Sequence, residues 1–427
     1  MRGRAVGLGT ASVLLLVRLA AATPAAGAPA TPTAARASSP PAAKAPSRGV
    51  TVATADGRLS LTLRGRVQAR YEAELPHASD TEASQTVQLR RVRLVLQGHA
   101  GSPRLRYYLQ LGFSPRDQLG GLTAEDGSIR HNPLRDARLE FDHSRDLTLW
   151  VGQMKVPFSR ERVLSSGALA LVDRSPANEE FNLDRDVGLQ LRSQDLGGLG
   201  WLGYSVGIFG GQGRNAFQST RFGLLYVARV EARPLGAFED YAGADLAREA
   251  RPRLGLGLAY AFQDQAVADR GVFGERFADG GTSDFHHATA DLVFKWRGWA
   301  MQAALHWRHG FHRHGGGARD DDGAAIAVVA PRSGLGAFAQ LGWLPLPNRD
   351  LELVVRYALT RDPYHRGLSS LPQRDEATVG ANYYFAQHDL KLQLDYARLF
   401  DDTIAPRYWD ALTDGTDRVR LQLQLAF

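Results

Sequence analysis

The chain predicts an all-β fold, a transmembrane antiparallel β-barrel of about 16 strands, and three observations carry that expectation. In residues 419–427, Val419, Leu421, Leu423, Leu425 and Phe427 alternate strictly with Arg420, Gln422, Gln424 and Ala426. Period 2 marks a strand with one apolar and one polar face, and this one ends on a bare aromatic residue. The N-terminus carries an export signal, and no later stretch is apolar and long enough to span a bilayer as a helix. Between the ends runs a series of short alternating segments joined by connections that are in turn short and long. An edge strand of a soluble β-sandwich would explain the first observation alone. It would not explain the regular alternation of loop length.

The elements follow in order. Met1, Arg2, Gly3 and Arg4 make a basic start, residues 5–22 are mostly Ala, Leu, Val and Gly, and Ala20, Ala21 and Ala22 offer a small-residue cleavage site. Residues 1–22 therefore read as a signal peptide, with Arg18 shortening its apolar run. Residues 23–57, rich in Ala, Pro, Thr and Ser, read as a disordered leader. The barrel is expected over 58–427, with strands near 59–73, 86–99, 104–113, 134–142, 146–155, 187–194, 201–210, 221–233, 252–263, 285–297, 299–309, 334–344, 350–360, 376–386, 389–399 and 417–427. Short connections fall at Gly101, Ser102 and Pro103, at 142–145, at Gly298, at 345–349 and at Gln387 and His388. Long ones fall at 114–133, 156–186, 264–284, 310–333, 361–375 and 400–416. The connection 234–251 breaks the rule, since its place calls for a short turn.

A barrel is the one membrane-spanning solution left to a chain without spanning helices, because lipid cannot satisfy the edges of an open sheet. A mean hydropathy of −0.27 suits a barrel with a polar interior. With no Cys among 427 residues, disulfides and thiolate metal sites are excluded. The formal charge is +6, and removal of Arg2, Arg4 and Arg18 with the signal leaves +3. Where the charges sit matters more than this total.

Phasing each strand by its apolar face assigns Leu59, Leu61, Leu63, Val67 and Tyr71 to lipid, and Arg64, Arg66, Gln68 and Arg70 to the lumen. An Arg or Lys facing lipid at mid-membrane costs about 2–4 kcal/mol. The same phasing turns Arg64, Arg66, Arg70, Arg91, Arg93, Arg106, Arg138, Arg192, Arg229, Arg233, Lys295, Arg308, Arg356, Lys391, Arg418 and Arg420 inward. Their acidic companions are Asp136, Glu140, Glu231, Asp291, Glu352 and Asp395. These sixteen against six stand beside 51 against 45 in the whole chain, so the excess is concentrated in the interior. A narrow tube lined by one sign of charge enriches the opposite ion, which predicts small anions as the permeating partners. The plainer alternative is arginine ladders paired to carboxylates, with little net field. Tyr71, Phe113, Phe141, Trp201, Phe262, Trp299, Trp343, Phe385 and Phe427, near strand ends, fit interfacial girdles against outer-membrane lipid.

Several stretches resemble the phosphate-selective porin O and P family. They are Arg90-Arg-Val-Arg-Leu-Val-Leu-Gln-Gly98, Asp136-Ala-Arg-Leu-Glu-Phe141 and Gly152-Gln-Met-Lys-Val-Pro-Phe-Ser-Arg-Glu-Arg162. Asp173-Arg-Ser175, Asp184-Arg-Asp-Val-Gly-Leu-Gln190 and Val206-Gly-Ile-Phe-Gly-Gly211 follow in order. The resemblance implies a sixteen-stranded outer-membrane porin of a Gram-negative bacterium, usually a homotrimer, whose third long loop folds inward as a constriction. Here that loop is about 156–186, and Lys155, Arg160, Arg162, Arg174 and Arg185 are its basic residues. Phosphate-selective members are similar in drawing anions past lumen arginines toward a ring of lysines. This chain departs there, with Lys44, Lys155, Lys295 and Lys391 its only lysines. A general, weakly selective diffusion porin and a structural or adhesive barrel remain the alternatives.

His306, His309, His312 and His314 precede Asp320, Asp321 and Asp322. They could hold a metal ion, but a solvated polar loop is the plainer reading. No Gly-x-Ser-x-Gly elbow, phosphate-binding Gly loop or nucleic-acid motif is present, so neither an enzyme nor a cofactor is expected.

Overall fold

The computed structural model describes residues 49–77, 82–118, 132–216, 223–317, 319, 322–325, 327–347, 350–364, 368–401 and 415–427. The expected signal peptide and most of the leader lie outside these residues. Seventeen strands form one sheet. The first, β1 (Val50–Ala53), is short; the others make the barrel. In chain order these are β2 (Leu59–Pro76), β3 (Ser84–Ala100), β4 (Ser102–Gly112), β5 (Leu134–Ser144), β6 (Leu147–Lys155), β7 (Arg185–Ser193), β8 (Leu202–Phe209) and β9 (Leu225–Ala232). The second half comprises β10 (Arg253–Ala266), β11 (Thr282–Trp296), β12 (Trp299–Arg313), β13 (Gly334–Trp343), β14 (Leu351–Arg361), β15 (Arg374–Ala386), β16 (Leu390–Asp401) and β17 (Thr416–Ala426). Each barrel strand pairs antiparallel with the next, and β17 pairs back onto β2. The barrel is therefore closed, with sixteen strands and no free edge, as the sequence pattern requires. Every expected strand is present, with ends within four residues of the expectation.

The closing seam between β17 and β2 ends at a glycine. The Phe427 amide donates to the Gly65 carbonyl at 3.0 Å and the Gly65 amide to Phe427 O at 2.7 Å. The Phe427 ring lies over Gly65, where a Cβ would sit 2.4 Å from ring carbons. Beyond the chain end, β1 takes over the same edge of β2, with Val50 opposite Leu63 and Ala53 opposite Ser60. The leader expected to run to residue 57 is thus shortened: Val50, Thr51 and Val52 are β-branched, and β2 leaves an unpaired edge for them below Phe427.

The faces alternate as phased. In β17, Arg420, Gln422 and Gln424 are buried while Leu421, Leu423 and Leu425 are exposed. In β14, Glu352, Val354, Arg356, Ala358 and Thr360 are buried and Leu353, Val355 and Tyr357 exposed. Exposed apolar side chains with buried polar ones is the inverse of a soluble protein, and is the pattern of a barrel solvated by lipid.

Two of the sheet's bulges bring an extra arginine inward. Between Gln68 and Ala69 of β2, β3 inserts Arg90, so that Arg90 and Arg91 are both buried. Between Gln110 and Leu111 of β4, β5 inserts Arg135 in the same way, beside buried Asp136. Each bulge adds one cation to the interior. A further correction concerns the histidines. β12 runs four residues past its expected end, to Arg313 opposite Thr282. His312 therefore joins His306 and His309 on the strand, where a loop was expected to hold it.

Candidate functional site

The connection 156–184 after β6 is built from two short helices, α2 (Arg160–Val163) and α3 (Pro176–Phe181); one further turn, α1 (Pro115–Gln118), follows β4. Ser159 caps α2 by accepting from the Arg162 amide, and Ser175 caps α3 by accepting from Asn178, with Pro176 in the first turn. Glu161 ties the helices together, its carboxylate accepting from Ser175 N at 2.8 Å and from Ser175 Oγ at 2.7 Å.

The backbone polar groups of this connection are satisfied from the barrel wall. Lys391 donates to Leu169 O at 2.7 Å, Asn382 to Ala170 O at 2.6 Å and Arg356 to Asp173 O at 2.9 Å. Gln424 reaches Gly167 O at 3.0 Å, Arg229 reaches Phe158 O at 2.7 Å and Arg308 reaches Glu180 O at 2.9 Å. The donors sit on β16, β15, β14, β17, β9 and β12. Apolar residues at the root of the connection, Val156, Phe158 and Leu183, pack on Met154, Phe209, Leu225, Val227, Ala259 and Ala261.

Asp173 is the principal charged anchor. Arg70 binds it at 2.6 Å, Arg91 at 2.9 Å and bulged Arg90 at 3.6 Å. Burial pushes this carboxyl up, but Arg90, Arg70 and Arg91 outweigh burial and hold it well below the carboxylate range.

The exceptional connection, 233–252, turns inward from the opposite end. Asp240, Ala242, Ala244 and Asp245 are buried. Gly243 N donates to Ala168 O at 2.7 Å, so the two connections meet. A Cβ at Gly243 would lie 2.6 Å from Ala170 N, which makes glycine necessary there. Asp240 binds Arg160 at 3.0 Å and Arg233 at 2.9 Å, and Lys295 donates to Glu239 O at 2.6 Å.

Two cavities lie against these connections. The first, about 210 Å³, is lined by Arg90, Arg91, Arg116, Arg162, Arg174, Arg374, Arg418 and Arg420, against Glu72, Asp173, Glu179, Asp375 and Glu376. The second, about 250 Å³, is lined by Arg66, Arg93, Arg138, Lys155, Arg192 and Arg229 against Asp136 and Glu231 alone. A four-layer stack forms part of its wall. The Arg138 guanidinium lies 4.2 Å from the Tyr108 ring and 4.1 Å from that of Trp150, and Arg192 lies 4.2 Å from Trp150. Stacking holds a guanidinium in place without cancelling its charge.

Of the ten arginines expected to line a pore, Arg66, Arg91, Arg93, Arg138, Arg229 and Arg420 line these cavities. Arg70 and Arg356 do not. They are buried in pairs, Arg70 with Asp173 and Glu72, Arg356 with Glu376 at 2.7 Å. Arg106 binds Glu140 and Asp142, and Arg64 is half-buried near the start of β2. Other arginines are paired too: Arg93 and Arg135 share Asp117, Arg138 binds Glu140, Arg229 binds Asp291 and Arg420 binds Asp395.

Among the five basic residues of the connection, Arg160 binds Asp291, Asp240 and Glu231, and Arg185 binds Asp136 and Asp184. Neither lines the two cavities; both are anchors. Arg162 pairs with Asp184. Lys155 and Arg174 bind carbonyls only, Lys155 those of Val163 and Leu164, Arg174 those of Glu161 and Leu164. Phasing missed Arg90 and Arg135, although Arg90 beside Arg91 and Arg135 beside Asp136 are charge doublets that period 2 cannot accommodate. Hydrophobic phasing also carried no signal for Tyr108, Trp150 and Tyr241.

A closed sixteen-stranded antiparallel barrel with an apolar outside and a charged interior defines an outer-membrane channel. The family model for phosphate-selective porin O and P matches residues 61–297, more than half of the chain, and the protein belongs to that family. Membership places it in the outer membrane of a Gram-negative bacterium. Solved structures share the fold at low identity. An anion-selective porin from Comamonas acidovorans is 12% identical with a TM-score of 0.54, over 86% of this chain and 100% of that one. The outer membrane channel DcaP of Acinetobacter baumannii is 16% identical at 0.52, over 89% and 100%. A loop-deletion mutant of OmpT from Vibrio cholerae is 9% identical at 0.52, over 87% and 100%. Among curated proteins none matches.

Proposed function

We propose that the protein is a passive diffusion channel that favours small anions. The carrying observation is the second cavity. Arg66, Lys155 and Arg192 line it, and none of the three has a carboxylate partner among the described residues: Arg66 binds Ser165 and Ser166, Lys155 binds carbonyls, and Arg192 stacks on Trp150. Uncompensated cations in a narrow low-dielectric passage raise the local anion concentration. Residues 156–184 form the constriction, joined there by residues 233–252. Movement runs down the solute gradient and needs neither cofactor nor chemistry.

Phosphate is the solute that the family's description suggests, and arginine binds it bidentately. The lysine ring of phosphate-selective members has no counterpart, since Lys295 and Lys391 each donate to a backbone carbonyl. Weak general anion selectivity is favoured for that reason. Export uses residues 1–22 as a cleaved signal, the leader lies ahead of β1, and the barrel assembles as a homotrimer in outer-membrane lipid. Chloride current in planar bilayers, titrated with phosphate, tests the solute class. Weak selectivity predicts graded competition at millimolar phosphate. Block at micromolar phosphate would establish phosphate selectivity, and absence of any current would contradict a channel.

A further inference from the structure

His312 and His314 alternate around Arg313, so their side chains share one face of the backbone as it leaves β12. Arg313 points away and pairs with Asp284. The face carrying the two imidazoles meets Asp279, from the connection between β10 and β11. Asp279 Oδ2 lies 3.1 Å from His312 Nε2 and 3.7 Å from His314 Nδ1, and the three donor atoms all fall within 4.8 Å of one another. Donors that surround a tetrahedral zinc ion at 2.0–2.1 Å stand about 3.3 Å apart. The two distances bracket that spacing.

We propose that Asp279, His312 and His314 form a binding site for a divalent transition-metal ion of the zinc type on the rim that carries the long loops. This proposal does not depend on the channel reading. The carboxylate is held in advance: Gly281 N donates to Oδ1 at 2.8 Å and Gly315 N to Oδ2 at 3.0 Å. Both glycines are required by contact. A Cβ at Gly315 would lie 1.9 Å from Asp279 O, and one at Gly281 would lie 2.8 Å from both Asp279 Oδ1 and His312 Cε1.

His312 is fixed as a metal-binding histidine is. Its other nitrogen faces Ser283 Oγ at 3.4 Å, and its ring packs on Phe277 at 4.4 Å between centroids. The His314 side chain is 83% exposed, which leaves a fourth position open to water. Two imidazoles and one carboxylate suit zinc, nickel or copper and disfavour calcium, which takes six to eight oxygens. A bound ion would tie the β10–β11 connection to the start of the β12–β13 connection. Those same connections supply Arg270 and Arg332, which hold Glu180 of the 156–184 segment.

The test is calorimetric titration of zinc chloride into the full-length protein, purified in detergent without a histidine tag. One ion per chain is expected, with calcium giving no competing heat. Asp279→Asn and His312→Ala should each weaken binding at least tenfold, and Ser283→Ala less. His309→Ala, whose ring packs on Phe311 and Tyr364, should bind as the parent does. If a buried variant does not fold, His314→Ala carries the test at an exposed position. No zinc bound by the parent at millimolar zinc, or full binding by His314→Ala, would overturn the proposal.

Discussion

Arg138 and Arg192 flank Trp150, and among the described residues only Arg138 has a carboxylate, Glu140, for a partner. Reversing the charge at Arg192 therefore removes uncompensated positive charge without breaking an ion pair. Arg192→Glu is expected to lower the chloride-to-potassium permeability ratio severalfold, read from reversal potentials. An unchanged ratio would place the permeating path elsewhere. Asp173 presents the opposite case. Asp173→Asn leaves Arg70, Arg90 and Arg91 around a neutral amide, and with the Asp173 side chain one-fifth exposed the loss should fall below the roughly 3–5 kcal/mol of a fully buried pair. The variant should lose its heat-resistant folded band in gels at a lower temperature than the parent, with noisier open channels.

The same carboxylate sets a pH dependence. Folding lowers the Asp173 carboxyl from its ordinary 3.8. The contribution of its ion pairs is thus complete above that value and is lost as the pH falls towards the lower folded one. The parent should lose its heat-resistant folded band in strong acid, below about pH 4, and Asp173→Asn should lack that step. An acid step that is the same in both proteins would contradict this assignment. Whether a given arginine faces inward was readable in the sequence wherever period 2 held, as for Arg420. It failed at Arg90 and Arg135, because a bulge adds a residue without changing the composition of its strand.

At the scale of elements, the connections 156–184 and 233–252 meet where Gly243 N donates to Ala168 O. Gly243→Val forces a side chain into the Ala170 backbone and should separate them. Single-channel conductance is expected to rise, with sixteen-stranded folding preserved. A conductance equal to the parent's would show that 233–252 does not narrow the path. The length of 233–252 was visible in the sequence as an exception. Its destination was not, because Tyr241, Ala242 and Ala244 show no periodicity and their partners are remote in sequence. The metal-type triad divides in the same way. His312 and His314 are a recognisable alternating pair, but the acid brought against them among the described residues is Asp279, 33 residues before His312 in number; Asp320 and Asp321 lie outside the described residues.

For the whole molecule, the nine terminal residues fixed the phase from which all other strands could be read. The reason is physical: a closed barrel has one register, and a one-residue slip would turn Arg420 to lipid and Leu421 to the lumen. Closure onto Gly65 through Phe427 makes the chain end part of the wall. Phe427→Ser should reduce the amount of heat-modifiable barrel recovered from outer membranes, and Gly65→Val should do the same by displacing the ring. What the phase could not supply was net field, since most lumen arginines are matched by carboxylates from residues distant in sequence. The field depends on the few that are not matched.

That dependence is tested most directly by the reversal potential of single channels in a potassium chloride gradient, for the parent and for a variant carrying Arg66→Gln, Lys155→Gln and Arg192→Gln together. The structure predicts an anion-selective parent and a variant whose potential moves most of the way to zero selectivity. A cation-selective parent, or a variant with the parent's potential, would contradict it.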